Sequence, residues 1–172
     1  GVAYEHDRYG PVWVTSTMVD NELLVVGTDP KRHADTAWKI VERATGPAAG
    51  SLFLSTHPRS PHLWMDMPLA ANAEFSQAAA VFRRDALGEG HRSLPVASWS
   101  GIPEGPRRVV QPTYDQHGKE VWMVVWNPQD QGSAIVVVDD ATLEPRAILT
   151  DPRLITPTRI YNLGQLRATG RK

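Results

Sequence analysis

A small group of side chains in the second half of the chain is suited to holding a ligand. Arg107 and Arg108 stand close to Gln111, which places positive charge and an amide together at the start of a segment of short apolar runs. Trp126 ends one of these runs, and an indole at the end of a strand can lie against a ligand. Because guanidinium and amide groups supply several hydrogen-bond donors, these residue types predict a binding surface.

Histidine, the residue most often used in acid–base and metal chemistry, forms no recognisable pattern here. None of the six histidines belongs to an HxH, HExxH or HxxxH pair, and each falls in a predicted turn, so we expect them in surface loops. They are His6, His33, His57, His62, His91 and His117. No Gly-rich phosphate loop or Ser-His-Asp order is convincing either, and Asp139-Asp140 fits a turn. We therefore expect no catalytic residue and no metal ligand in this chain.

The predicted binding surface belongs to an antiparallel meander from Arg107 to Leu149. Its three short strands are rich in Val, Ile and Trp, which suit a pleated and buried surface. Tight turns are predicted at Asp115–Gly118, at Asn127–Gly132 and at Asp139-Asp140. A meander of about 40 residues has the size of one propeller blade.

The same order of strands and turns occurs twice more, earlier in the chain. Leu63-Trp64-Met65 follows a turn as Val121-Trp122-Met123 does, Leu94–Ala97 corresponds to Arg146–Leu149, and a weaker copy starts near Pro11. A repeat of roughly 50–58 residues predicts an all-β chain of about three propeller blades. The predicted strands are Pro11–Met18, Glu22–Gly27, Leu52–Leu54, Leu63–Asp66, Gln77–Phe82, Glu120–Trp126 and Ser133–Val138.

Four segments fit the repeat less well. Gly1–Gly10 is polar and turn-like, and Gly88–Arg92 is typical of a plain turn. Asp35–Ala44 fits a short helix or a strand, and the repeat favours the strand. The tail Asp151–Lys172 carries Thr156-Pro157-Thr158 and then a polar, basic end that we expect to be frayed or disordered.

Composition sets further bounds on partners and on domain organisation. A net charge of −1 gives no reason to expect nucleic acid or an anionic membrane, and no apolar run approaches the ~18–20 residues of a membrane span. The absence of cysteine excludes a disulfide and covalent CxxCH haem attachment within this sequence. Three blades do not close a ring, so residues 1–172 are expected to be a single partial domain, the C-terminal blades of a longer propeller.

Several long strings resemble a known family, the haem d1 domain of cytochrome cd1 nitrite reductase. They are GTDPKRHADTAWK, GSLFLSTHPRSPHLWMD, RRVVQPTYDQHGKEVW, WNPQDQGSAIVVVDDATL and DPRLITPT, and the likeness runs from about Gly10 to Thr158. The resemblance implies an eight-bladed propeller that holds non-covalent haem d1 in its central channel. It also implies a separate upstream cytochrome c domain, which carries haem c.

The resemblance further implies the activity and the residues that take part. The family reduces nitrite to nitric oxide in the periplasm, as a homodimer that receives electrons from a cytochrome c or cupredoxin donor. Phe53, Gln111, Trp126 and Thr158 match family positions that line or contact haem d1. The family's axial and distal histidines would lie upstream of Gly1, so we expect this part of the chain to have no activity alone.

Two departures from the family pattern leave other readings open. The family usually has TSH where this chain has Thr15-Ser16-Thr17, and its tail TGKFNVYNT differs from the residues after Thr158. A similar propeller occurs in dihydro-haem d1 dehydrogenase and in other haem d1 biosynthesis or carrier proteins, which are the main alternative. A propeller that carries a cofactor or acts as a scaffold without turnover is a third reading. Upstream sequence with CxxCH and two distal histidines would favour the reductase.

Overall fold

The computed structural model describes residues 1–129 and 132–155 of the chain. Within these residues the backbone forms three four-stranded antiparallel sheets, each made of four consecutive strands. The first sheet contains β1 (Val2–His6), β2 (Gly10–Ser16), β3 (Glu22–Gly27) and β4 (Ile40–Thr45). The second contains β5 (Leu54–Thr56), β6 (His62–Asp66), β7 (Ala79–Arg83) and β8 (His91–Leu94). The third contains β9 (Arg108–Tyr114), β10 (Glu120–Trp126), β11 (Ser133–Asp139) and β12 (Pro145–Leu149).

The connections between strands carry little helix. Two one-turn helices, α1 (Ala73–Ser76) and α2 (Val96–Trp99), and a 3-10 turn at Leu87–Glu89 lie in these connections. In the part of the chain that the structure describes, no helix is long and apolar enough to span a bilayer.

The three sheets pack one after another, with their first strands side by side. β5 contacts both β1 and β9, and every residue of β5 is buried. The last strand of the third sheet, β12, is exposed along its whole length. In a propeller, the first strand of each blade lies on the inside and the last strand on the outside. These sheets have that arrangement, so the predicted all-β propeller fold is confirmed.

The second sheet is buried on both faces. Leu63 and Met65 of β6 lie in a core shared with the first sheet, whereas Trp64 lies in a core shared with the third. Burying each of these side chains contributes about 1.5–3 kcal/mol. The first core also includes Val12, Val14, Leu23, Val25 and Phe82, and the second includes Val81, Val109, Val121, Met123 and Val125.

A buried cluster of polar side chains joins the second and third sheets around Asp140. Its carboxylate accepts hydrogen bonds from Ser60 Oγ at 2.6 Å, Tyr114 Oη at 2.7 Å and Trp64 Nε1 at 2.8 Å. His62 Nδ1 lies 3.2 Å from the same carboxylate. Burial alone would raise the pKa of Asp140, but these neighbouring hydrogen bonds outweigh it and hold the pKa below its ordinary value. Asp140 therefore does more than form a turn.

A residue with positive φ recurs one or two positions before the outer strand of each sheet. Trp38 precedes β4 with φ 62°, Gly90 precedes β8 with φ 99°, and Leu143 precedes β12 with φ 61°. The hydrogen bonds also repeat, since Trp38 N donates to Gly27 O and Leu143 N donates to Asp139 O, both at 2.8 Å. A tryptophan and a leucine rarely adopt this conformation, so the repeated backbone geometry prevails over residue preference.

Each predicted strand overlaps an observed one, and β3 and β10 have the predicted bounds. The third sheet has four strands and not three, because the segment before the first turn is itself a strand, β9. Gly1–Gly10 was expected as a turn, but Val2–His6 pairs with β2. Gly88–Arg92 is likewise no plain turn, since β8 begins at His91.

Three further differences concern segment ends. α2 starts directly after Pro95 where the repeat predicts a strand over Leu94–Ala97, because proline has no N–H to continue the ladder. Asp35–Ala44 becomes a turn followed by β4 from Ile40. The predicted turn Asn127–Gly132 lies partly outside the described residues, at positions 130 and 131, and the predicted frayed end lies outside them beyond residue 155.

The prediction that all six histidines lie at the surface is wrong for two of them. His6 is 4% exposed and its Nδ1 accepts a hydrogen bond from Arg8 N at 3.0 Å. His57 is fully buried, and its ring packs on Tyr114 with centroids 5.7 Å apart. Burial is the main cause that lowers the pKa of His57, so its neutral form is favoured. Both imidazoles serve packing.

Candidate functional site

A groove of about 530 Å³ opens at one end of the second and third sheets. It lies where β5 and β9 begin and where β6 and β10 end. Antiparallel pairing therefore brings these four strand ends to the same end of the two sheets. The lining residues are Leu52, Phe53, Pro68, Leu69, Arg108, Val110, Trp126 and Pro128. Small-molecule sites commonly have volumes of about 300–1,000 Å³ and mostly apolar walls, which this groove matches.

Large apolar side chains are left exposed together along this groove. Leu52 is 42% exposed, Phe53 is 40% exposed and Leu69 is 57% exposed. Their loops are held closely together, because Leu69 N donates to Gly50 O at 3.1 Å. Gly50 has φ +91°, and a Cβ there would lie 2.6 Å from Ala70 N, so this approach requires glycine. A contiguous apolar surface on a rigid frame is typical of a ligand site.

Arg108 supplies a positive charge to the wall of the groove. Its Nη1 donates to Pro68 O at 2.6 Å and to Ala70 O at 3.3 Å, which fixes the loop after β6. Arg107, the other member of the predicted pair, turns away and donates to Gln77 Oε1 at 2.9 Å and to Ile102 O at 3.1 Å. Only Arg108 therefore lines the groove.

Asp66, at the end of β6, joins two sides of the groove. Its Oδ1 accepts hydrogen bonds from Leu52 N at 2.9 Å and Phe53 N at 2.8 Å, and its Oδ2 accepts one from Gln111 N at 2.7 Å. Asp66 is fully buried, and burial raises its pKa to about 6 although the three N–H groups favour the ionised form. Asp66 is not among the residues predicted from the sequence, where its only signal is a carboxylate directly after the Leu63-Trp64-Met65 run.

Gln111 occupies a bulge in β9. Its φ of 58° is left-handed, and the pairing of β9 with β10 shifts register between Val110 and Thr113. The strand continues beyond the bulge to Tyr114, which pairs with Val121. The side chain of Gln111 is half-buried and does not belong to the groove lining. Gln111 therefore connects to the groove through the hydrogen bond from its N–H to Asp66.

The predicted cofactor contacts are thus only partly brought together. Phe53 and Trp126 line one groove although they come from different sheets. Gln111 adjoins this groove through Asp66, and Thr158 lies outside the described residues. The indole Nε1 of Trp126 is buried and has no hydrogen-bond partner among the described residues. All four residues remain predictions as contacts of haem d1.

The groove chemistry fits a flat macrocycle with an anionic or oxo edge. Apolar walls suit the ring, and the Arg108 guanidinium suits a carboxylate. Over residues 1–129 and 132–155, no group of three or more histidine and carboxylate side chains could hold a metal ion. The described residues can therefore hold and orient a ligand, and they place no acid–base group in the groove lining.

Comparisons with known proteins agree with this chemistry. Residues 1–166 match the family described as the Cytochrome D1 heme domain. The chain is 36% identical over 170 residues to a nitrite reductase of Stutzerimonas stutzeri, which covers 95% of this chain and 30% of that protein. It therefore spans less than a third of that relative's length.

A solved structure gives a further likeness. The structure titled dihydro-heme d1 dehydrogenase NirN in complex with DHE superposes with a TM-score of 0.65, covering 87% of this chain and 27% of that one. At 17% identity this likeness shows the fold alone.

Proposed function

Because the chain belongs to the Cytochrome D1 heme domain family, we propose that it is part of a nitrite reductase that binds haem d1 and reduces nitrite to nitric oxide. The observation that carries the proposal is the groove, in which Phe53 and Trp126 stand beside the Arg108 guanidinium. When bound, haem d1 supplies the iron at which nitrite is reduced.

The residues of this chain would hold the macrocycle and set its orientation. Phe53 and Trp126 would pack against the ring and exclude water from it. Arg108 would pair with a carboxylate at the ring edge through the N–H groups that do not bind the loop after β6. Gln111 and Thr158 would add an amide and a hydroxyl to the polar edge.

Proton delivery would come from elsewhere in the whole protein. In the described residues the groove is lined by apolar side chains and one arginine, and its lining holds no histidine or carboxylate. The proposal therefore includes distal histidines and an axial ligand from other parts of a longer chain. It also includes a haem c domain, a cytochrome c or cupredoxin donor, a homodimer and a periplasmic location.

The test begins with titration of the full-length apo-protein with haem d1, followed by visible absorbance. We expect saturable binding in the wild type and weaker binding in Phe53→Ala. Ile148→Ala is the matched control, because Ile148 is a large apolar residue, 48% exposed, on the outer strand β12. Nitric oxide formed from nitrite by the reduced holoprotein then tests the reaction. Wild type that fails to bind haem d1 would overturn the proposal.

The alternative is a dihydro-haem d1 dehydrogenase or another haem d1 biosynthesis or carrier propeller. Thr15-Ser16-Thr17, in place of the family's TSH, is the observation that favours it. A dehydrogenase would convert dihydro-haem d1 to haem d1 and release no nitric oxide from nitrite. A carrier or scaffold would bind haem d1 and catalyse neither reaction.

A further inference from the structure

We propose that Asp66 is a positioning residue, which fixes the shape of the groove by joining the segment before β5 to the bulge in β9. This inference deepens the proposed function and rests on it, because it takes haem d1 as the ligand of the groove. Asp66 itself is not among the groove-lining residues. Its effect on the ligand would pass through Phe53, Leu52 and the backbone at Gln111.

Asp66 holds the backbone of Phe53 in place. Leu52 and Phe53 precede β5, so neither N–H group belongs to the sheet, and both donate to Asp66 Oδ1. The backbone of Asp66 returns a bond, since its N–H donates to Phe53 O at 3.2 Å. Phe53 is therefore held on both sides by one residue, which directs its ring into the groove.

Asp66 also restrains the backbone of Gln111. A left-handed conformation at a residue other than glycine is costly and persists only where its surroundings hold it in place. The 2.7 Å hydrogen bond from Gln111 N to Asp66 Oδ2 is such a restraint. Since Arg108 and Val110 of the same strand line the groove, a displaced bulge would move that wall as well.

A carboxylate is the side-chain group that can accept hydrogen bonds from both segments at once. An ionised carboxylate has two acceptor oxygens, and Asp66 uses both. In Asp66→Asn one oxygen would still accept the bonds from Leu52 and Phe53, but an NH2 group would face the N–H of Gln111. The substitution therefore breaks the connection to β9 while leaving the connection to β5.

Protonation of Asp66 should weaken the connection to β9, as the Asp66→Asn substitution does. Backbone N–H groups face this carboxylate from the segment before β5 and from β9, and burial outweighs them in setting its pKa at about 6. The charged side chain of the groove lining is Arg108, which is committed in part to the loop after β6. Below that pH one carboxylate oxygen carries a proton and is a poorer acceptor.

The first measurement needs no cofactor. Amide hydrogen exchange of the apo-protein, at one pH, compares wild type, Asp66→Asn and Asp115→Asn. We expect protection of the Gln111 amide to fall at least about tenfold in Asp66→Asn. Asp115→Asn is the matched control, since Asp115 accepts backbone N–H bonds from His117, Lys119 and Glu120 in the turn beyond the far end of β9. It should leave the Gln111 amide unchanged.

The second measurement is haem d1 affinity at about pH 7.5 and about pH 5. We expect Asp66→Asn to bind about tenfold more weakly at the higher pH, and Asp115→Asn to bind as wild type does. Haem d1 has its own carboxylates, so the informative quantity is the ratio of wild-type to Asp66→Asn affinity. This ratio should fall toward one at the lower pH. A purely structural role would leave it constant.

The outcomes separate the two proposals. Unchanged protection at Gln111 in Asp66→Asn would overturn the role of Asp66 whether or not haem d1 binds. Lost protection with equal haem d1 affinity would overturn positioning and leave the proposed function standing. Failure of wild type to bind haem d1 would overturn the proposed function and, with it, the role toward that ligand. If Asp66→Asn does not fold, Gln111 exchange in wild type at the two pH values, relative to Val124 in β10, gives the same decision.

Discussion

Trp64 Nε1 donates a 2.8 Å hydrogen bond to Asp140 Oδ1, which joins β6 of the second sheet to the turn after β11 of the third. Ser60 and Tyr114 donate to the same carboxylate. Removing the carboxylate would take this acceptor from three buried donors, which is costly although Ser60 Oγ and Tyr114 Oη, 2.9 Å apart, still form a hydrogen bond with each other. Asp140 is therefore a central polar connection in the interface between these two sheets, beside the apolar core that they share.

Asp140→Ala should lower the free energy of unfolding by about 3–5 kcal/mol. Asp139→Ala is the control, because Asp139 accepts hydrogen bonds from Ala141 N and Thr142 N in an exposed turn, and its loss should cost about 1 kcal/mol. Urea unfolding of the full-length protein compares the two variants. Equal losses would contradict the assignment of the cluster.

Trp126→Ala should weaken haem d1 retention about tenfold or more, because it removes one apolar wall of the groove. Trp126→Phe should retain most of the affinity, since an aromatic wall remains. Visible absorbance during haem d1 titration measures both. His91→Ala, on the outer strand β8, should match wild type. If Trp126→Phe binds haem d1 as weakly as Trp126→Ala does, the indole N–H and not the aromatic wall determines the affinity.

Gln111→Leu should weaken haem d1 retention roughly 10- to 100-fold through loss of the amide. The left-handed φ of 58° complicates this substitution, because leucine also strains the bulge. Gln111→Gly removes the amide without that strain and should give a similar loss in the same titration. Wild-type affinity in the glycine variant would remove the Gln111 amide from the site.

Stability should fall as pH rises from about 4 to about 6, through Asp66. Its pKa of about 6 in the folded protein exceeds its ordinary value of 3.8, so the folded state binds the proton more tightly than the unfolded chain does. The full change amounts to roughly 3 kcal/mol and is complete only when the pH lies well above 6. Asp140, Asp139 and Asp115 have lowered pKa values, and their contributions are lost only below that range. The free energy of unfolding is measured against pH for wild type and for Asp66→Asn, and the difference between the two isolates the effect. A difference that does not change with pH would refute it.

Gly118→Ala should destabilise the protein by about 1–3 kcal/mol. Gly118 has φ +68°, and a Cβ there would lie 2.2 Å from Nδ1 of the buried His57. Gly88→Ala is the control, because a Cβ at Gly88 would meet nothing within 4 Å. Thermal melting distinguishes them, and similar melting temperatures would count against close packing of His57 on this turn.

Strand identity was predictable where apolar periodicity was strong. β3 and β10 have their predicted bounds, since their Leu and Val residues are consecutive or alternate inward. β1 was missed because Gly1–Gly10 is polar, and its pairing with β2 decides its structure. The left-handed residues Trp38 and Leu143 oppose local preference, so no propensity could reveal them.

The groove was predictable only in part. The resemblance pointed to Phe53 and Trp126, and the structure places both in one lining. Asp66 was not predicted, because its importance comes from hydrogen bonds to residues that are distant in the sequence. Arg107 and Arg108 are the same residue type, but Arg107 precedes β9 and bonds to Gln77, whereas Arg108 begins β9 and bonds to the loop after β6.

Leu63 and Trp64 are neighbours in the chain but belong to different cores. A slip of β6 by one residue would push an indole into space shaped for leucine and leave a void on the other side. Stacked repeats gain their stability from interfaces between neighbours, and here a single five-residue strand takes part in both interfaces. The three sheets should therefore unfold as one cooperative unit, with no stable intermediate in which only one of them is unfolded.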